Sequence, residues 1–133
     1  MVYSEGNMVG YVGDIEGMTE QNNHFRQVIY TGTYAQLVVM SLLKDEEIGL
    51  ETHASVDQFF RIESGTAKII MNGEEHTLSA GMAAIVPAGV AHNVINVGTG
   101  SVKLYTLYSP PNHPMGTIHH TTAEAVSAEA AEH

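Results

Sequence analysis

A carboxylate and an imidazole two residues apart, Glu51 and His53, open the stretch GLETHASVDQFFRIESG, residues 49–65, which continues through the amide of Gln58 to Gly65. These are donor types that hold a divalent cation, and equally they are ordinary solvated groups at a strand end. This stretch alone fits both readings. A second stretch, GMAAIVPAGVAHNVIN, residues 81–96, adds His92 behind a Pro-x-Gly turn. Residues two apart in a strand share a face, so Glu51 and His53 are expected to look the same way. Inside a small barrel the distant His92 can meet them. The result is two imidazoles, one carboxylate and one amide oxygen, a set that leaves about two positions open on an octahedral ion. The chain has no cysteine, so thiolate ligands and disulfides are excluded.

The elements that must position these groups are short strands. Runs rich in β-branched and aromatic residues fall at 27–31, 35–43, 48–53, 57–63, 66–71, 75–79, 82–86, 91–97 and 102–108. Asn72-Gly73 has the chemistry of a tight hairpin turn. So many short strands in so little chain are most economically closed into a barrel or sandwich, which removes their edges. Alternation along 57–63 turns Gln58, Phe60 and Ile62 inward and Arg61 outward. Tyr105 and Tyr108, three apart, face opposite sides of their strand. The tail TTAEAVSAEAAEH, residues 121–133, predicts a short helix with a threonine cap.

At 133 residues the chain has the length of one domain. Its core is expected at about 26–108, with an N-terminal arm over 1–25 and a loop and helix over 109–133. Five Lys and Arg against fifteen Asp and Glu give a net charge of −10. Such a balance disfavours nucleic acid and anionic membranes, which both require clustered cations. No run is long enough for a membrane helix and the start lacks the pattern of a signal peptide, so a cytoplasmic location is expected. Nucleophile-elbow, P-loop and dinucleotide-binding patterns are absent.

Gly81, five residues, Pro87-Ala88-Gly89, two residues, His92, three residues and Asn96 reproduce a spacing that resembles the second signature motif of the cupin superfamily at every fixed position. Against the first motif of that superfamily, His53 matches the second histidine and Gly65 the closing glycine. Glu51 stands where a histidine belongs, and Gln58 where a glutamate belongs. The resemblance covers about residues 35–108. It implies an all-β, single-domain double-stranded β-helix, a jelly-roll barrel, with one divalent transition metal held by Glu51, His53, Gln58 and His92. Exchanging histidine for glutamate at 51 and glutamate for glutamine at 58 keeps the ligand charge at −1. If Gln58 binds weakly, two histidines and one carboxylate remain, a set that favours iron(II) or manganese, with nickel, cobalt and zinc still open. Asp57 is the rival to Gln58 for the fourth position.

The resemblance further implies a small-molecule substrate in the barrel and a metal-dependent dioxygenase or isomerase. It is similar in look to mannose-6-phosphate isomerase-like cupins, although the scattered cations do not suit a phosphate. The alternative is a non-catalytic ligand-binding or structural barrel. A homodimer that uses the first ~25 residues is expected. For the remaining histidines the plain readings are surface positions for His76, His119 and His120, and a stiff clasp for His113 in SPPNHPMG, residues 109–116. A substrate-facing His113 is the sharper option. The methionines read as core filler, with Met40, Met71 and Met82 as pocket candidates.

Overall fold

A computed structural model describes residues 9–132. Residues 1–8 of the expected arm and His133 lie outside the described residues. Two antiparallel sheets enclose the core. The larger contains β1 (Arg26–Thr31), β2 (Gln36–Leu42), β3 (Asp57–Ser64), β6 (Ala83–Val86), β8 (Val102–Ser109) and β9 (Ile118–His119), in the order β6-β3-β8-β2-β1-β9. The smaller contains β4 (Thr66–Met71), β5 (Glu74–Ser79) and β7 (His92–Asn96), in the order β5-β4-β7. Between the sheets lie Val28, Val38, Met40, Phe60, Ile62, Ile69, Val94 and Leu104. These residues alternate with outward ones along most strands, which is why the sequence reads with a period of two.

β2 departs from that alternation and is buried at every position. Its second face is covered by a helix that the sequence does not announce, α1 (Ile15–Gln21). Asp14 caps it, accepting from the Gly17 N–H at 3.1 Å. Ile15 and Met18, with Tyr11, pack on Ile29, Leu37 and Val39 outside the barrel. The second helix, α2 (Thr122–Glu132), follows the expectation, and the Thr121 hydroxyl accepts from the Glu124 N–H at 3.2 Å. β9, unforeseen in the sequence, brings His119 opposite Arg26.

Register sets the inward rows of the larger sheet. Gln58, Tyr108 and Gln36 lie across β3, β8 and β2, and Phe60, Thr106 and Val38 form the next row. A third row holds Ile62, Leu104 and Met40 and continues into Arg26 and His119. The Asn72-Gly73 turn takes left-handed φ angles of 48° and 84°, as its chemistry predicts. At Gly65 a side chain is excluded outright, because a Cβ there would lie 2.6 Å from the Ser101 carbonyl oxygen. Asn96 fastens the far end of the barrel. Its amide nitrogen reaches the carbonyls of Leu42, Leu43 and Gly100 at 3.1, 3.1 and 2.8 Å, and its oxygen accepts from the Gly98 N–H at 2.9 Å.

One expected strand does not form. Residues 48–53 are irregular, and Gly49 adopts φ 103°. The segment instead skirts β7 through isolated bridges, Glu47 to Ile95 and Glu51 to His92. Strand alternation therefore does not place Glu51 and His53; the bridge to His92 places Glu51, and the Gly89 N–H donated to its carbonyl holds His53.

Candidate metal centre

Glu51 and His92 exchange both backbone hydrogen bonds at 2.9 Å, so they sit directly opposite each other with side chains on one face. This pairing, made by a segment that is not a strand, joins the two sequence motifs. His53 is tied to the second motif as well, because its carbonyl accepts from the Gly89 N–H at 2.8 Å. Its Nε2 lies 3.5 Å from Glu51 Oε2, and its ring is centred 5.5 Å from that of His92. Gln58 comes from the opposite sheet. Its Oε1 meets His92 Nε2 at 3.2 Å, and its Nε2 donates to the Thr106 hydroxyl at 3.0 Å.

His92 faces a carbonyl oxygen at each ring nitrogen. Nδ1 is 3.0 Å from the Val90 carbonyl oxygen, and Nε2 faces Gln58 Oε1. A neutral imidazole has one N–H. With that proton on Nδ1 and donated to Val90, Nε2 turns a lone pair towards the amide oxygen's lone pair. A cation relieves this opposition, and the backbone contact at Nδ1 is the kind that fixes a metal-ligating tautomer. The donor set therefore fits a divalent ion at His92 and Gln58, with Glu51 and His53 beside them. Among the described residues, no group of three or more His, Cys, Asp or Glu is assembled to hold a metal ion. The four groups stand as two contacting pairs, Glu51 with His53 and Gln58 with His92, and the backbone bridge of Glu51 to His92 joins the pairs.

Asp57 lies outside the centre. It is exposed, and its Oδ1 accepts from the Ala88 N–H at 2.8 Å, which braces the Pro87-Ala88-Gly89 turn. Phe60 and Ile62 point inward with Gln58, as expected, and Phe60 packs its ring 6.2 Å from His92. Tyr108 faces inward and Tyr105 outward, where it neighbours Phe59. Of the methionines singled out, Met40 is core and Met82 is exposed.

The interior holds more polar groups than the sequence revealed. His119, read as surface, is buried, and its Nδ1 accepts from Arg26 Nη1 at 3.1 Å. Arg26, read as one of several scattered cations, is 1 % exposed. His113 enters the barrel, and its Nε2 lies 3.2 Å from the Tyr108 hydroxyl. Burial first, then the neighbouring Arg26, His119 and His53, push the His113 pKa down to about 3, so its ring is neutral at ordinary pH. Gln36 holds this loop: its oxygen accepts from the Asn112 and His113 N–H groups at 3.1 and 3.0 Å, and its nitrogen donates to the His113 carbonyl at 2.8 Å. No sequence pattern marks Gln36 or Arg26; register alone turns them inward. His76 and His120 are exposed, as expected.

Among the described residues no helix is long and apolar enough to cross a membrane. The cupin domain family matches residues 38–108. The protein YrkC of Bacillus subtilis is 47% identical over 125 residues, spanning 90% of this chain and 67% of YrkC. A protein of Acanthamoeba polyphaga mimivirus is 44% identical over 113 residues, 81% of this chain and 70% of that protein. A crystal structure of a Bacillus halodurans protein superposes with a TM-score of 0.90 at 38% identity, covering 95% of this chain and 99% of its own. Two facing antiparallel sheets, the matched second motif and these likenesses lead to one conclusion: the chain belongs to the cupin family.

Proposed function

We propose that this cupin is a metal-dependent enzyme acting on a small molecule inside the barrel, with one divalent transition ion at Glu51, His53, Gln58 and His92. The observation that carries the reading is His92 Nε2 facing Gln58 Oε1 at 3.2 Å, from opposite sheets, with Glu51 paired to His92 through the backbone. When bound, the ion supplies Lewis-acid or redox chemistry of the dioxygenase or isomerase type. The residues do the rest. Glu51 offsets cation charge, His53 and His92 offer neutral nitrogens, and Gln58 offers a weak, displaceable oxygen. Phe60 excludes water from one side of His92. Iron and manganese suit two imidazoles with one carboxylate.

A second reading has one observation in its favour. If the Gln58 amide is turned over, its N–H donates to His92 Nε2 and the Thr106 hydroxyl donates to its oxygen, giving a complete network that needs no metal. The barrel is then a metal-free binding module.

Metal analysis of protein loaded with Mn²⁺ or Fe²⁺ and then desalted separates the two readings. The metalloenzyme reading expects close to one ion per chain, and a fall of at least about tenfold in affinity for Glu51→Ala or His92→Ala. Full occupancy in either variant overturns the ligand assignment, and wild-type protein without metal favours the binding module. Pairing of two chains through the N-terminal segment accompanies this proposal. The exposed Tyr34, on an apolar groove lined also by Tyr11, Tyr30, Leu37 and Leu107, and the exposed Val9 and Val12 of the same N-terminal segment as Tyr11 support it.

A further inference from the structure

Each candidate ligand that stands on a regular strand has a polar neighbour on the opposite face. In β3, Gln58 is buried and Asp57, just before it, is exposed. In β7, His92 is buried and Asn93, just after it, is half-buried. Alternation along a strand forces this division, because successive side chains leave on opposite faces. Both outward side chains reach sideways to irregular backbone, and that backbone carries or steers the other candidate ligands.

Asp57 Oδ1 accepts from the Ala88 N–H at 2.8 Å. One residue on, the Gly89 N–H donates to the His53 carbonyl at 2.8 Å. One further on, the Val90 carbonyl oxygen lies 3.0 Å from His92 Nδ1. Asn72 supports the far end of this turn, accepting from the Ala91 N–H at 3.1 Å. Asn93 works on the other segment. Its Oδ1 accepts from the Gly49 N–H at 2.9 Å, and its Nδ2 donates to Glu47 Oε1 at 3.2 Å, shortly before Glu51. Gly49 takes a φ of 103°, and glycine has the widest conformational freedom of any residue, so its N–H is where this segment most needs holding. Irregular backbone has no ladder to lock it, and a binding constellation is only as exact as the contacts that fix its supports.

We propose that Asp57 and Asn93 are positioning residues of the metal centre: each stands beside a ligand on a regular strand and clamps the irregular segment that brings or orients the remaining ligands. This deepens the metalloenzyme reading and rests on it. Asp57 acts through the turn on both imidazoles. It steadies the His53 backbone, and it keeps the Val90 carbonyl at His92 Nδ1, which holds the ring proton there and leaves Nε2 as the lone-pair nitrogen. Asn93 acts through residues 47–51 on Glu51. Asp57 thus serves the centre without being a ligand.

The test pairs Mn²⁺ titration with NMR of the metal-free protein. In the unaltered protein the ring nitrogen shifts should place the His92 proton on Nδ1. Asp57→Ala should weaken Mn²⁺ binding about 10- to 100-fold and move His92 towards the Nε2–H tautomer. Asp57→Asn keeps an acceptor oxygen and should restore most of both. Asn93→Ala should weaken Mn²⁺ binding by a similar factor and speed amide exchange at Glu51, with the His92 tautomer unchanged. Thr121→Ala, which removes the hydroxyl at the start of α2, should lower stability and leave all three readouts alone. An alanine variant at 57 or 93 that loses stability with tautomer, exchange and affinity unmoved overturns the proposal, as does Asp57→Asn behaving like Asp57→Ala. If an alanine variant does not fold, amide exchange in the unaltered protein decides: Ala88 and Gly49 N–H groups that exchange as fast as open loop amides overturn the clamps. No Mn²⁺ uptake by the unaltered protein sinks the metal reading alone, and the tautomer and exchange readouts then judge the clamps.

Discussion

At the scale of single residues the interior is governed by where protons sit. His92 is held between two oxygens, and the nitrogen that carries its proton decides which of them it can donate to. His113 shows the opposite control: no charge is tolerated there. Its pKa is lowered from 6.5 to about 3 by burial first and then by electrostatic interaction with Arg26, His119 and His53, with the Tyr108 hydroxyl at its Nε2. The unfolded chain takes up the proton near pH 6.5, whereas the folded chain refuses it until about pH 3. Stability from this site is thus fully present above 6.5 and is lost as pH falls through that window, with a limiting slope of about 1.4 kcal/mol per pH unit. Urea unfolding at pH 7 and pH 5 should show a larger loss for the wild type than for His113→Gln. Equal losses in the two proteins rule the explanation out.

At the scale of elements, Gln36 makes three hydrogen bonds to the loop after β8. Gln36 gives its oxygen to two backbone N–H groups and its nitrogen to the His113 carbonyl and the Thr31 hydroxyl. Gln36→Leu keeps the volume but leaves those backbone groups to find water. A loss of about 2–4 kcal/mol is expected, with faster amide exchange at Asn112 and His113. Unchanged exchange there shows that the loop has other support. The regularity of each element explains what the sequence could and could not tell. Gln58, Phe60 and Ile62 were legible because eight residues of regular strand carry a period of two. Glu51 and His53 were legible only as members of a motif, since their segment is irregular and its facing is set by bridges to β7. His119 was not legible at all. β9 is two residues long, too short for any period, and it becomes interior only by pairing with β1. Arg26 was hidden for a related reason, because a charged first residue of a strand looks solvated until register places it beside Met40.

At the scale of the whole molecule, burial is unevenly shared between the two sheets. The six-stranded sheet is covered on its outer side by α1 and the residues around Tyr11, whereas five of the six residues of β5 are exposed. Beyond the α1 cover, the exposed Tyr34 stands on the rim of the apolar groove. A partner copy seated there through the N-terminal segment gives light scattering the mass of two chains, and Tyr34→Glu should shift it towards one. A wild-type mass of one chain overturns the pairing.

Asn96 carries a consequence of a different kind. It is the last fixed residue of the second motif, yet its amide is spent on four backbone groups at the end of the barrel away from Gln58 and Tyr108. Gly65, the closing glycine of the first motif, likewise meets a backbone requirement, a left-handed φ of 89° and the close approach of the Ser101 carbonyl oxygen. Two of the positions that make this chain recognisable are thus architecture. Sorting such proteins by these two positions therefore groups them by how they are built.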